Sequence, residues 1–144
     1  LKDVEIYNNT HYFREGLNGQ VFVQGVRNRV PIETAFVNNI FYFESAGTWG
    51  NVPSPEVTFE NNLFYNIPPA GESYVTEDPQ FENPGAGGTD IDMTAADRLA
   101  GYRLRAGSPA IDAGKVVEGH GDRDFWGNAL YRGAPDIGAH EFQP

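Results

Sequence analysis

The chain has 144 residues, a formal net charge of −10 and no cysteine. This length suits a single domain, and the lack of cysteine excludes disulfides and thiolate metal sites. The negative charge argues against binding to nucleic acid, whose phosphates require a basic surface. No apolar run approaches the roughly 20 residues of a membrane span, so we expect no membrane partner. The 17 glycines and 10 prolines, without long amphipathic runs, favour an all-β chain.

Three stretches of the first half repeat one pattern: VEIYNN at 4–9, TAFVNN at 34–39 and VTFENN at 57–62. Each stretch alternates as a strand does, ends in an asparagine pair and leads into an aromatic-rich run. The pairs begin at positions 8, 38 and 61, which are 30 and 23 residues apart. Periods of this size indicate stacked structural repeats. The pattern predicts a β-solenoid of about three coils, with an asparagine ladder at one corner.

The repeats occupy residues 1–67, and the pattern stops at residues 67–71. The segment beginning at Gln20 predicts a further short strand. The seven extra residues of the longer interval predict a loop within residues 14–19 or 26–31. The Gly/Pro-rich connection at 44–55 predicts an irregular excursion from the solenoid.

Residues 68–144 predict a C-terminal coil and cap. Within it we expect a brief helix at residues 92–101, a single helical turn around Ser108 and a final strand at 135–142. The chain begins with Leu1, and its first coil would leave one face of the solenoid uncovered. We therefore expect a piece of a longer protein, with upstream coils or another chain covering that face.

Four motifs then follow in a fixed order: DPQF at 78–81, YRLRAGSPAIDAG at 102–114, DFWGN at 124–128 followed by Arg132, and PDIGAHE at 135–141. This series resembles the C-terminal end of secreted bacterial right-handed parallel β-helix proteins, which are related to polysaccharide lyases and glycoside hydrolases. The resemblance implies an all-β, right-handed parallel β-helix and a secreted or cell-surface bacterial location. It does not specify an activity, because many functions share one fold.

Aromatic residues supply the candidate ligand contacts. Tyr12, Tyr42 and Tyr65 occupy the same repeat position, so the stacked coils place them in one file. A file that faces solvent is a platform for sugar rings, and a file that faces inward is core. Trp49 lies in the Gly/Pro-rich connection and is either a ligand contact or a lid over the solenoid flank.

Catalytic groups are harder to assign. A lyase needs a base and a cation, and the chain has only two lysines, Lys2 and Lys115. A glycosidase needs two carboxylates on one surface, for which Glu5 and Glu60 form a weak pair. The cluster His11, Arg14 and Glu15 is the remaining candidate for a catalytic cleft.

Calcium is the metal that best fits the composition, because it prefers carboxylate and carbonyl oxygens. The candidate ligands form two pairs, each with a spacing of two residues: Asp90 with Asp92, and Asp122 with Asp124. Asx-turns and helix caps explain the same residues without a metal.

The leading functional hypothesis is therefore binding of a polysaccharide or oligosaccharide by Trp49 and the tyrosine file. The first alternative is the C-terminal portion of a catalytic lyase or glycoside hydrolase whose key residues lie mostly elsewhere. The second alternative is a purely structural capping module.

Overall fold

The computed structural model describes residues 2–16, 20–21, 32–50, 56–86, 96–119, 121–130 and 133–144. These residues contain one 3₁₀ helix, Ala96–Tyr102, and eight strands: β1 (Lys2–Tyr7), β2 (Thr10–Phe13), β3 (Gln20–Val21), β4 (Ile32–Val37), β5 (Ile40–Phe43), β6 (Thr48–Trp49), β7 (Val57–Glu60) and β8 (Leu63–Tyr65). The described part is thus mostly β, as expected. A search of the same residues finds no helix with the length and apolar character to cross a membrane.

The strands stack in three parallel sheets, which follow the repeats. Sheet 1 has the order β1–β4–β7, sheet 2 the order β2–β5–β8, and sheet 3 pairs β3 with β6. The register places Tyr7 beside Val37 and Val37 beside Glu60, so each repeat lies directly over the next. The stacking of like residues is therefore confirmed, and the arrangement is compatible with a short β-solenoid.

The asparagine ladder is present at the corner between sheets 1 and 2. The side-chain amide of Asn9 donates to Asn39 Oδ1 at 3.1 Å, and that of Asn39 donates to Asn62 Oδ1 at 3.1 Å. The backbone N–H groups of Asn9 and Asn39 donate to the same two oxygens. The preceding residues, Asn8, Asn38 and Asn61, have φ values of 52°, 54° and 50°. Asparagine tolerates this left-handed conformation better than most residues, which explains the first asparagine of each pair. The ladder bonds explain the second.

The extra length of the first coil is divided between two connections. Phe13 and Gln20 are 7 positions apart, whereas their partners Phe43 and Thr48 are 5 apart. The other five extra residues therefore lie between Val21 and β4. The loop predicted at 14–19 accounts for the smaller part. The loop predicted at 26–31, like the rest of the segment after β3, lies outside the described residues.

The interior between the sheets is an aromatic core. Equivalent residues of successive coils stack in files: Phe36 over Phe59 at 4.9 Å between ring centroids, and Phe41 over Phe64 at 5.3 Å. These four rings are at most 9% exposed. Their stacking adds to the burial of apolar area, so the same residues give the core its stability and its register.

The repeat continues for one corner beyond the predicted stop at residues 67–71. Isolated parallel bridges join Glu60 to Glu72 and Leu63 to Val75. Val75 N donates to Asn62 O at 3.0 Å, as Leu63 N does to Asn39 O in the coil above. Ser73, with φ of 53°, takes the corner position. This partial fourth coil lies within the residues for which a C-terminal coil was predicted, but the sequence did not mark its corner because the asparagine pair is absent there.

The described residues after Val75, which we call the C-terminal segment, lie along the outer face of sheet 2. A second core joins Ile40 and Leu63 of that face to Phe81, Leu104, Ala110 and Ile137. At Gly138, with φ of 105°, a Cβ atom would lie 2.6 Å from Ile40 Cδ1, so only glycine permits this close approach. The segment therefore contacts the coils along their side as well as at the last coil.

The predicted cap agrees with the structure in its helical parts and differs from it in the final strand. The brief helix is confirmed as the 3₁₀ helix, and residues 109–112 form turns in which Ile111 N donates to Ser108 O at 3.2 Å. The final strand predicted at 135–142 is wrong, because those residues form bends and irregular structure. Their backbone groups bond to scattered partners: Phe142 N donates to the side chain of Asp136, and Ile137 N donates to Ala110 O at 2.9 Å. They therefore need no neighbouring strand.

Candidate functional site

The tyrosine file lies on the outer face of sheet 2. Tyr12 stacks over Tyr42 with ring centroids 5.6 Å apart, and Tyr42 stacks over Tyr65 at 5.0 Å. The inner face of the same strands carries Phe41 and Phe64, because side chains alternate along a strand. All three tyrosines are half-buried. The file therefore has features of both readings that the sequence left open: it faces outward, and the C-terminal segment covers part of it.

Aromatic residues of the C-terminal segment cover one flank of the file. Tyr102 meets Tyr12 edge-on at 5.3 Å, and Phe81 packs at a tilt on Tyr42 at 5.5 Å. Burial, followed by the hydrogen bond from its hydroxyl to Glu44, raises the pKa of Tyr12. Burial, followed by the carboxylate of Asp78, raises the pKa of Tyr42. Tyr12 and Tyr42 thus stay neutral over the physiological range, and the hydroxyl of each can donate a hydrogen bond.

A groove opens beside Tyr42, and we call it the tyrosine groove. It has a volume of about 330 Å³ and is lined by Tyr42, Asp78, Gln80, Phe81, Glu82, Asn83, Pro84 and Arg105. This volume is at the lower end of the range for small-molecule sites, ~300–1,000 Å³. Two aromatic rings, those of Tyr42 and Phe81, lie among carboxylate, amide and guanidinium groups, so the groove can offer both an apolar surface and hydrogen bonds to one ligand.

Local structure fixes the polar residues of this groove. Asp78 Oδ1 accepts a hydrogen bond from Gln80 N at 2.8 Å, which closes an Asx-turn before the chain enters the groove. An antiparallel bridge joins Phe81 to Leu104, and Arg105 N donates to Gln80 O at 3.1 Å. The guanidinium of Arg105 donates to the Glu82 carbonyl. These residues thus lie on short segments that hydrogen bonds hold in place, and not on a loop without such bonds.

Sequence reasoning assigned Tyr42 to a site but missed the other residues of the groove. Asp78 and Gln80 belong to the first motif of the C-terminal series, and Arg105 belongs to the second. The only hint in the sequence was that these two motifs follow one another in a fixed order. Their contact across a bridge is a tertiary fact that spacing does not reveal.

Trp49 lies away from the tyrosine file. Its ring packs against Phe41, Phe59 and Phe64, with centroids 5.9, 5.5 and 6.1 Å away. Those rings belong to the interior, so Trp49 and the tyrosines contact opposite faces of sheet 2. Its indole Nε1 donates to Pro68 O at 2.8 Å. The structure therefore does not bring Trp49 and Tyr42 onto one surface, although they were predicted to bind the same ligand.

The structure also separates the three residues of the predicted catalytic cluster. His11 stacks on Phe41 at 4.8 Å and so faces the interior, where burial lowers the pKa of its imidazole. Arg14 and Glu15 are exposed just beyond β2, and Glu15 N donates to the carboxylate of Glu44 at 2.6 Å. Bonds from Tyr12 and Glu15 lower the pKa of Glu44.

The glutamate pair considered above does not share a file. Glu5 pairs with Ala35 and then Thr58, whereas Glu60 follows Tyr7 and Val37. Glu60 also forms an ion pair with Lys115. Glu5 and Glu60 therefore lie in different files, two residues of register apart.

Of the candidate calcium ligands, Asp124 accepts four hydrogen bonds from the protein. Its Oδ1 accepts from the backbone of Trp126 and Asn128 at 2.9 and 2.7 Å, and its Oδ2 from the amide of Asn128 and the backbone of Glu141 at 2.8 and 2.9 Å. Asp122 is exposed. Asp90 and Asp92 lie outside the described residues. Within the described ranges, no group of three His, Cys, Asp or Glu residues could hold a metal ion.

Comparison with known proteins gives one informative relative. No protein-family model matches the chain. The chain is similar to a lacto-N-biosidase of Bifidobacterium longum subsp. longum, with 32% identity over 159 residues that cover 94% of this chain. It spans about a tenth (10%) of the length of that relative. The similarity connects nearly the whole chain to one part of a bacterial glycoside hydrolase.

Proposed function

We propose that the chain is a short right-handed parallel β-helix module of a secreted bacterial protein, and that it binds an oligosaccharide in the tyrosine groove. The observation that carries this proposal is the file of three stacked, half-buried tyrosines beside a groove rich in polar groups. The similarity to a glycoside hydrolase supports a carbohydrate ligand. The three parallel sheets with a laddered corner support the β-helix.

The chemistry of the groove suits a sugar. The C–H face of a pyranose ring can lie on the exposed part of the Tyr42 ring, and its hydroxyls can pair with carboxylate, amide and guanidinium groups. Asp78 accepts hydrogen bonds, Arg105 donates them, and Gln80 does both. The periodic file adds Tyr12 and Tyr65 at the spacing of the coils, so an extended glycan would meet more than one ring.

Affinity electrophoresis in gels that contain plant, algal or bacterial polysaccharides tests this proposal. We expect retardation of the wild-type chain by at least one glycan. Tyr42→Ala should abolish retardation, and Tyr42→Phe should largely retain it because the ring remains. The matched control is Tyr74→Ala, because Tyr74 is 47% exposed and lies outside the groove. If no glycan retards the wild-type chain, binding is refuted and a structural module remains.

A second candidate is hydrolysis by a catalytic protein to which this chain contributes. The observation in its favour is that Asp78 and Glu82 line the same groove, since glycosidases use two carboxylates about the reacting bond. Release of reducing sugar by the wild-type chain but not by Asp78→Asn or Glu82→Gln would support it. A product that absorbs in the ultraviolet would indicate a lyase instead. The assignments of Trp49 and of His11, Arg14 and Glu15 stay predictions.

A further inference from the structure

A second pocket lies beside the tyrosine groove, and we call it the Trp126 pocket. It has a volume of about 310 Å³, close to that of the tyrosine groove. Glu82 lines both pockets, whereas Arg105 lines the tyrosine groove and Arg103, two residues away, lines the Trp126 pocket. Glu82 N donates to Arg103 O at 2.9 Å, which holds these two residues side by side. One ligand can therefore contact both pockets across Glu82.

Two aromatic residues, Trp126 and Phe142, form the apolar part of the Trp126 pocket. Both are half-buried. The guanidinium of Arg103 lies 5.4 Å from the centroid of the Trp126 ring, and the ring of His140 meets the indole edge-on at 5.2 Å. These two contacts fix the orientation of the indole. A fixed, partly exposed indole presents apolar surface to the C–H face of a sugar ring.

His140 gives the pocket a hydrogen-bond donor that has no partner among the described residues. Its Nδ1 accepts the Leu104 N–H at 3.0 Å, so the neutral ring carries its proton on Nε2. Burial lowers the pKa of His140, which keeps the ring neutral at pH 7. Nε2 forms no hydrogen bond within the described ranges, yet it is not one of the polar atoms there that are both buried and unpaired. The Nε2–H group therefore reaches solvent and can donate to a ligand hydroxyl.

Arg103 and Glu82 supply a further donor and acceptor. The ion pair of Arg103 with Asp97 is long, at 3.9 Å between Nη2 and Oδ1, and water screens it because the Asp97 side chain is fully exposed. Glu82 is exposed, and its carboxylate forms no hydrogen bond with a described residue. A sugar hydroxyl both donates and accepts, so one hydroxyl can donate to Glu82 while it accepts from Arg103. The pocket favours an uncharged sugar, because Glu82 would repel a carboxylate on the ligand.

We propose that the Trp126 pocket is a second sugar subsite, which holds an uncharged pyranose, and that one glycan spans both pockets across Glu82. Trp126 and Phe142 contact the C–H face of this sugar, His140 and Arg103 donate to its hydroxyls, and Glu82 accepts from them. The inference rests on the proposed function for the carbohydrate class of the ligand, but it assigns a separate set of residues. It makes the smallest ligand that fills the site a disaccharide.

The chain has two tryptophans, so their indole N–H groups give two NMR signals that a Trp49→Phe variant assigns. The probes are the methyl pyranosides of glucose, galactose, mannose, xylose and N-acetylglucosamine, titrated at pH 7 into ¹⁵N-labelled protein. At least one should shift the Trp126 signal in a saturable way, with a dissociation constant on the order of 10 mM. The Trp49 signal is the internal reference and should not move, because that indole donates to Pro68 O and packs on the other face of sheet 2.

Arg103→Met removes the guanidinium donors but keeps an apolar stem and the backbone bonds of this residue. It should weaken the affinity of the Trp126 pocket for the methyl pyranoside by about tenfold, and it should also reduce glycan retardation in the gel. The matched control is Arg98→Met, which removes the same charge at an exposed position outside both pockets. This control should leave the titration and the retardation unchanged.

The proposal is overturned if no methyl pyranoside moves the Trp126 signal, if the Trp49 signal moves equally, or if Arg103→Met behaves as Arg98→Met does. Tyr42→Ala separates this result from the fate of the tyrosine groove. The Trp126 shift should persist in Tyr42→Ala although glycan retardation is lost, and its disappearance would show that the two pockets are not separate subsites. Retardation that Tyr42→Ala abolishes and Arg103→Met leaves unchanged would retain the tyrosine groove and remove the second subsite.

Discussion

The coils and the C-terminal segment satisfy their backbone groups in two different ways. In the coils, each strand pairs with the equivalent strand of the next coil, and like side chains stack over like. The C-terminal segment has no such repetition: isolated backbone bonds, such as that from Arg105 N to Gln80 O, occur beside single side chains that bind the backbone. Asp124 and Asp136 accept from Glu141, Phe142 and other N–H groups. Repetition spreads stability over many equivalent contacts, as in other repeat proteins. The unrepeated contacts of the C-terminal segment concentrate stability in a few residues.

The largest expected effect is the loss of the central ladder residue. Asn39 is 0% exposed, donates to Ile6 O and to Asn62 Oδ1, and accepts from Asn9. Asn39→Ala leaves several buried groups without partners, each worth ~1–3 kcal/mol, so we expect a loss of about 3 kcal/mol or more in the free energy of unfolding. Urea unfolding measures it. Asn9→Ala, at the exposed end of the ladder, should lose only about 1 kcal/mol. Equal losses for the two variants would contradict a cooperative ladder.

A smaller and more local effect is expected in the C-terminal segment. Asp124→Asn keeps the size of the side chain but replaces one carboxylate oxygen by an amide NH₂. That group cannot accept the hydrogen bonds that the oxygens of Asp124 receive from the backbone of Trp126, Asn128 and Glu141. We expect a loss of about 2 kcal/mol in the free energy of unfolding. Hydrogen exchange should accelerate in residues 121–142 before it does so in the coils. The matched control is Asp122→Asn, at an exposed position, which should stay within about 0.5 kcal/mol of wild type. Uniform acceleration over the whole chain would show that the two regions unfold as one.

The smallest expected effect is a pH dependence that arises in the C-terminal segment. His140 is 9% exposed, and its Nδ1 accepts the Leu104 N–H at 3.0 Å, so it is bound as the neutral imidazole. Burial lowers the pKa of His140 below its ordinary value of 6.5. The unfolded chain therefore takes up the proton first. The stabilisation is complete above pH 6.5 and is lost as the pH falls below it.

Urea unfolding between pH 5 and pH 7.5 checks the sign of this effect. For one group, the free energy of unfolding can change by no more than about 1.4 kcal/mol per pH unit. His11 is also buried and contributes with the same sign. His140→Asn isolates the contribution of His140, because its Oδ1 can accept the Leu104 N–H but does not titrate. The variant should show a shallower slope than wild type. An unchanged slope would assign the pH dependence to other groups.

The sequence predicted the coils well and the candidate site only in part. The asparagine pairs identified the corner, and the register of the sheets follows from them. Tyr12, Tyr42 and Tyr65 were placed correctly in one file. The sequence missed the corner at Ser73 because neither asparagine is present there. It also missed the contact of Gln80 with Arg105, since that contact joins two motifs that share no period.

The alternation in the sequence determined the phase of the repeat, because a slip of one residue would expose Phe59 and turn its polar neighbours Thr58 and Glu60 inward. Only the tertiary structure decided which face of sheet 2 the tyrosines occupy and what covers them. The physical reason is that strand alternation restarts after a corner with positive φ, so alternation in sheet 1 does not carry over to sheet 2. The position of the C-terminal segment depends on single contacts between residues far apart in the chain, such as Asn38 with Lys115, and no local pattern encodes them.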